Sequence, residues 1–332
     1  MRSLADVANF VHAHYEVDVI RVGQITEKVF KIESTNKDYL LKFTTLDDKS
    51  LINQLYAHKE MSNNVLPIYP TRTGEKVAHE FNGIAYLTDY VDQIPMPFEN
   101  RVRDYANLLS ELHQATEIVI DKNDDEIAWM YADDYRQLEE CYNILESMME
   151  QCEMKLSRSP FEWQILMMYP LIYGMFRRSD EALKKFYRLL NRKKQLPVSM
   201  LHGDVNVANV LPSFKSTHLI NFESSNFDIR SHDMLKFLSH YHQSAATTRI
   251  ITDYLKSQKD QLIVHHFFMK SLCIDLKSLV NQLSGNSLID ISILNEKLAP
   301  GLIAMSVFDD INAPKQNEKK QADKQQANKI AT

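Results

Sequence analysis

Three short runs near the start of the chain, "VDVIRVG", "KVFKIES" and "YLLKFTT", constrain its fold most. Each is rich in β-branched and aromatic residues, each has strand length, and polar breaks separate them. "STNKD" between the second and third is a turn by composition. The pattern predicts an antiparallel β-meander. Before it, Leu4, Val7, Ala8, Val11 and Tyr15 fall at helical spacing and predict an amphipathic helix. After it, Leu51, Leu55 and His58 return to that spacing, with Asp47, Asp48 and Ser50 suited to a helix start. "NVLPIYPTRTGEKVAHEFNGIAYLTDYV" then reads as two or three more strands with a hairpin turn at "TRTGEK".

Beyond about residue 92 the character changes. Val102, Tyr105, Leu108, Leu109 and Leu112 share one helical face. Further helical segments are predicted over 134–156, 160–176 and 179–194. A strand-loop-strand region follows from Leu201, and helices resume to about residue 311. The expectation is an α+β, bilobal fold: a β-rich N-lobe over 1–92 with one main helix, and a larger, mostly helical C-lobe over 93–312. An extended link at "TDYVDQIPMP" joins them. The tail over 313–332 is polar, with five Lys against two acids, and its composition predicts disorder.

The bulk numbers exclude several classes. A chain of 332 residues allows two or three domains or one two-lobed fold. A net charge of −6 argues against a general nucleic-acid surface. Cys141, Cys152 and Cys273 are scattered, with no Cys-x-x-Cys, as in a protein folded among reduced thiols. The N-terminus has no apolar core and no cleavage site, so no signal peptide is expected. "WQILMMYPLIYGMF" falls short of the ~20 residues a spanning helix needs, and Pro170 interrupts it; a bent, buried helix is expected there, not a transmembrane segment. The pairs His12/His14, His240/His242 and His265/His266 lack partners at zinc-site spacing, so zinc is not expected. Only seven glycines are present, which leaves little material for Gly-rich phosphate loops.

One stretch carries chemistry. "LHGDVNVANVL", from Leu201, is followed by "LINFE". Phosphoryl transfer needs a positioned acceptor, neutralised phosphates and in-line geometry more than covalent help. In the kinase-like solution an Asp takes the acceptor proton, an Asn a few residues on binds metal, and a second Asp bridges metal and phosphates. A Lys from the N-terminal sheet holds phosphate oxygens. The chain offers Asp204 for the base, Asn209 for one metal position, Asn221 for the other, and Lys42 in "DYLLKFTT" for the lysine. Taken singly these have plain structural readings. Lys42 fits a surface lysine at a strand end, and Asp204 and Asn209 fit turn or cap positions. Their joint spacing with His202, Gly203 and Glu223 favours a phosphate-transfer loop. His202 reads as a structural hydrogen-bonding residue beneath it.

These motifs resemble the His-Gly-Asp-x-x-x-x-Asn-x-Leu … Ile-Asp-x-Glu signature of aminoglycoside phosphotransferases and choline kinases, and "LLSELHQAT" is similar to a helix that precedes the catalytic region there. Through "VLPIYPTRTG", "SPFEWQ" and "INFESSNFDIRSHDMLKFL" the chain resembles, more closely, the CotS/YsxE group of spore coat proteins of endospore-forming bacteria. The resemblance covers nearly the whole chain apart from the tail. It implies a protein-kinase-like fold, ATP and Mg²⁺ as cofactors whose binding is weakened or lost, and other spore coat proteins as partners. It implies synthesis in the mother-cell cytoplasm and deposition in the spore coat. Asp228 and Asp233 resemble acids that brace the catalytic loop, Asp233 also anchoring the helix that follows.

The departures leave two functional readings open. Asn221 stands where a metal-binding Asp is expected. One charge pair at about 4 Å and an effective dielectric near 20 is worth ~4 kcal/mol, roughly a thousandfold in rate. Glu223, two residues on, would share a strand face with Asn221 and could replace the missing carboxylate. The helix after the lysine strand should supply a Glu to pair with Lys42, but the expected position holds Gln54, and Glu60 lies nearly two turns later. Gly23 is the one glycine in the expected nucleotide loop, "RVGQITEKVF". The chain is thus expected to be a spore coat assembly pseudokinase, with an ATP- and Mg²⁺-dependent small-molecule phosphotransferase as the alternative.

Overall fold

The computed structural model describes residues 3–44, 48–80 and 83–312. The chain forms two compact units. One comprises residues up to Val119 with Pro197–His240; the other comprises Ile120–Leu196 with Tyr241 onward. Residues up to 119 and residues 197–240 therefore cluster as one unit although residues 120–196 separate them in the chain.

The first unit opens with α1 (Leu4–His14). Ser3 and Asp6 form a capping box in which Ser3 Oγ accepts from Asp6 N and Asp6 Oδ2 accepts from Ser3 N, each at 3.1 Å. The predicted meander follows as β1 (Val19–Thr26), β2 (Val29–Ser34) and β3 (Tyr39–Thr44). The helix expected next is α2 (Asp48–Glu60); Asp47, read as part of its start, lies outside the described residues. β4 (Ala78–Glu80) and β5 (Gly83–Asp89) complete an antiparallel sheet in the order β1-β2-β3-β5-β4. The "TRTGEK" segment is a loop ahead of that hairpin, closed by Thr71 N donating to Glu75 O at 2.7 Å. Val7, Val11 and Tyr15 of the α1 region pack on Phe30, Ile32, Leu41, Phe43, Ala85 and Leu87. Leu51, Ile68, Val77, Ile84 and Tyr86 form a second cluster. Ile84 and Tyr86 alternate with Ala85 and Leu87, so the sheet is covered on both faces.

α3 (Phe98–Ala115) buries the predicted stripe, Val102, Tyr105, Leu108, Leu109 and Leu112. After it come β6 (Ile118–Asp121) and two long helices of the second unit, α4 (Asp124–Glu153) and α5 (Pro160–Lys193). α4 begins ten residues ahead of the expected start, at a capping box between Asn123 and Glu126. α5 corrects the reading of two helices over 160–176 and 179–194. Ile165, Ile172, Met175, Phe176, Ser179, Leu183, Phe186 and Leu190 make one buried stripe across the expected break and past Pro170. Burial of that stripe outweighs the missing proline N–H. Trp163 and Met167 of the same segment are exposed.

β7 (Gln195–Leu201) pairs antiparallel with β10 (Asn226–Asp228), and β8 (Val210–Pro212) with β9 (Thr217–Leu219). α6 (Ser231–Tyr241) closes this part of the first unit. The second unit is completed by α7 (Thr247–Ser257), α8 (Gln261–Ser271), α9 (Leu276–Gln282) and α10 (Ser287–Asn312). Ser179 Oγ on α5 donates to Met269 O on α8 at 2.6 Å. Gly301 lets α10 approach α5, since a Cβ there would lie 3.3 Å from Met175 Sδ. Among the described residues α10 is the one helix long and apolar enough to cross a membrane. Its Leu294, Leu298, Gly301, Ala304 and Val307 are buried in the second unit. Residues 313–332 lie outside the described residues.

Candidate functional site

Strand alternation sets the first element of the site. Leu41 and Phe43 of β3 point into the α1-side core, so Lys42 between them points to the opposite face. Its register partner on β5 is Tyr86, which belongs to the α2-side cluster. Burial, and then the charge of Glu223, push the Tyr86 phenol above its ordinary value. Thr88, two residues beyond Tyr86 and opposite Leu40, shares that face. It is 4% exposed, and its hydroxyl has no hydrogen-bond partner among the described residues.

The second element is the loop after β7. Gly203 has φ +81°, and a Cβ there would meet Ser224 O at 2.1 Å. Only glycine combines that backbone with that approach. Asp204 follows at the surface. A 3₁₀ turn over Val207–Asn209 is capped by Asn206, whose Oδ1 accepts from Ala208 N at 2.9 Å. The β8–β9 hairpin then brings the chain back, and Ile220 N donates to Asn209 O at 3.0 Å. Asn221 adopts the left-handed region at φ 65°, ψ 59°, which Asn tolerates better than most residues. A second 3₁₀ turn covers Phe222–Ser224. This corrects the reading of a strand through Asn221 and Glu223; the two side chains are related by a turn and not by a pleat.

All five expected site residues come together in the first unit as one hydrogen-bonded chain. Lys42 Nζ donates to Asn221 Oδ1 at 2.9 Å. Asn221 Nδ2 donates to Asn209 Oδ1 at 2.7 Å. Asn209 Nδ2 donates to Asp204 Oδ2 at 2.9 Å and to Asp204 O at 3.0 Å. Lys42 also forms an ion pair with Glu223. The carboxylate brace on Lys42, expected from α2 near Gln54, comes from the 3₁₀ turn; Gln54 is buried. α2 meets that turn through Asn53 Nδ2, which donates to Ser225 O at 2.8 Å.

A buried frame fixes the loop. His202 is fully buried, with Nδ1 2.8 Å from Asp204 O and Nε2 2.8 Å from Ile220 O. It ties the residue bearing the expected base to the residue before Asn221. Tyr105 on α3 donates to Asp204 O at 3.0 Å. Asp233 in the first turn of α6 accepts from His202 N at 2.7 Å, Gly203 N at 3.1 Å and His113 Nε2 at 3.1 Å. Burial pushes its carboxyl up, but the His113 bond and charge and the nearby His202 outweigh this and leave it below its ordinary value. Asp228 accepts from its neighbour Ile229 N at 2.7 Å.

The donor set bears on whether a divalent ion fits. Mg²⁺ demands several oxygens near 2.0–2.1 Å in octahedral array. Here Asn209 Oδ1 already accepts from Asn221, Asn221 Oδ1 accepts from Lys42, and Glu223 is paired with the same ammonium. Among the described residues no three His, Cys, Asp or Glu side chains cluster as a metal site. This arrangement does not fit a resident divalent ion.

Solved structures share the fold. The aminoglycoside phosphotransferase from Alicyclobacillus acidocaldarius superposes with a TM-score of 0.62 at 12% identity, over 95% of this chain and 97% of that one. A spectinomycin phosphotransferase bound to AMP gives 0.50 at 12% identity, over 93% and 99%. No protein-family model matches the chain, and no curated protein matches it. The protein has the kinase-like fold of the aminoglycoside phosphotransferases: an antiparallel sheet in its N-terminal part and a helical C-terminal part.

Two residues of this site, Thr88 and Tyr105, escaped the sequence reading. Thr88 gave only the signal that "AYLTDYV" places it two residues from Tyr86. Tyr105 lies on the buried face of α3, where its bond to Asp204 O is set by tertiary structure; His113, within the quoted "LLSELHQAT", bonds Asp233 of α6.

Proposed function

We propose that the protein binds a nucleotide against Lys42 and transfers its terminal phosphoryl group to a small hydroxyl-bearing acceptor. The observation that carries this reading is the continuous chain from Lys42 through Asn221 and Asn209 to Asp204. It links one cation to one carboxylate, the two kinds of group that phosphoryl transfer employs. Thr88 supports it, as a buried hydroxyl with no partner among the described residues, on the Lys42 face about 7 Å along the strand. The bound AMP of the spectinomycin enzyme and the phosphotransferase activity named for both neighbours point the same way.

In the reaction, the acceptor oxygen forms a bond to the terminal phosphorus as the bond to the diphosphate oxygen breaks. The acceptor proton passes to Asp204, and Lys42 neutralises phosphate charge. Asp204→Ala is expected to lower ATP-dependent phosphorylation of small alcohols and amino sugars by at least about a hundredfold, with nucleotide-induced thermal stabilisation retained. Equal turnover by this variant would remove Asp204 from the chemistry.

A second reading is a non-catalytic coat assembly protein, deposited in the spore coat and bound to other coat proteins. The Asn221–Asn209 bond favours it, because an amide there carries no charge for the reaction. Fractionation of spores with an antibody to the chain tests the location, and absence from coat extracts contradicts it.

A further inference from the structure

We infer that the amide nitrogen of Asn221 takes the place of a divalent cation, so that this site binds nucleotide without metal. The inference rests on the nucleotide reading above for its ligand, but its core concerns the chain's own residues.

The orientation of each amide is set from both ends of the chain. Lys42 only donates, so the atom of Asn221 at 2.9 Å from it must be the oxygen. The carbonyl and carboxylate of Asp204 only accept, so Asn209 must face them with its nitrogen. Asn209 therefore presents its oxygen to Asn221, and Asn221 answers with its nitrogen at 2.7 Å. Swapping either amide would set donor against donor at one end and acceptor against acceptor at the other.

This geometry closes the space a metal would bridge. With a carboxylate at position 221, two acceptor oxygens would face each other, and a cation or water would be needed between them. With the amide, an N–H joins residue 221 to Asn209 directly. The neighbouring oxygens are also held, since Lys42 pairs with Glu223 and binds Asn221 Oδ1. Lys42 is then the fixed positive charge this cluster offers a phosphate, and Glu223 must release it, in whole or in part, as nucleotide binds. Glu223 acts as the partner that holds Lys42 in the absence of nucleotide.

Two measurements on the full chain test the inference. In the first, bound Mn²⁺ is followed by electron paramagnetic resonance without nucleotide. Wild type is expected to hold no ion at this site at millimolar Mn²⁺, and Asn221→Asp to gain one. Mn²⁺ held by wild type and lost in Asn209→Ala overturns the inference. A folded Asn221→Asp that gains no ion overturns the role given to the amide. In the second, calorimetry gives the Kd for ATP in EDTA and in Mg²⁺. Wild type is expected to bind equally within about twofold, and Asn221→Asp about tenfold more tightly with Mg²⁺. Wild-type binding that Mg²⁺ strengthens tenfold or more overturns the inference and leaves the nucleotide reading intact. Binding in neither buffer overturns the nucleotide reading, while the Mn²⁺ result still judges the amide.

Discussion

Asp233 shows how much of this site depends on a residue outside the chemistry. Its carboxylate is fully buried and accepts from two main-chain N–H groups and His113. Asp233→Ala strands all three donors and is expected to cost about 3 kcal/mol or more, read from urea denaturation. Because the folded state holds its pKa below the unfolded value, the charged form contributes stability above the unfolded carboxylate pKa, ~3.9. That contribution is lost as pH falls through the lower folded value. The stability gap between wild type and Asp233→Asn should therefore be widest near neutrality and shrink below about pH 4; a gap independent of pH contradicts the assignment. At this scale it was motif spacing, and the lysine on a predicted N-terminal strand, that singled out Lys42, Asp204, Asn209 and Asn221, which the fold brings into one hydrogen-bonded chain. The pairing of Glu223 with Lys42 was not legible, because it depends on a turn that brings position 223 back beneath β3.

At the scale of elements, the loop after β7 and the turn at Phe222–Ser224 depend on each other. Gly203 lies so close to Ser224 that any Cβ collides with its carbonyl, and its φ is positive as well. Gly203→Ala is expected to destabilise the protein by about 3 kcal/mol or more and to weaken nucleotide binding, seen in thermal melts with and without ATP. Unchanged melting would show that the two segments can separate freely. The meander was legible from its three β-branched runs, since alternation and turn residues act locally. The Asn221 turn read as a strand because "LINFE" has strand composition, while Asn221 takes a left-handed φ and bonds Asn209 and Lys42. The continuity of α5 escaped for the opposite reason: Pro170 is a strong local breaker, and only a buried stripe running from Ile165 to Leu190 overrides it.

Across the whole molecule, an α+β chain with an N-terminal antiparallel sheet was readable from periodicity, and the structural neighbours share that architecture at 12% identity. By contacts the chain also divides into units that are discontinuous in sequence. The segments 93–119 and 197–240 look helical and loop-like in sequence, yet Tyr105–His202 and His113–Asp233 bind them to each other, and Asn221 binds the second of them to Lys42 of β3. Those bonds join residues 97, 120 and 179 positions apart, which no local pattern encodes. They also make Lys42 the point at which the sheet and the loop become one site. The most direct measurement is calorimetric titration of ATP into wild type and Lys42→Met. Saturable binding by wild type that Lys42→Met loses is the predicted result. Absence of binding by folded wild type, or equal binding by both, contradicts the account.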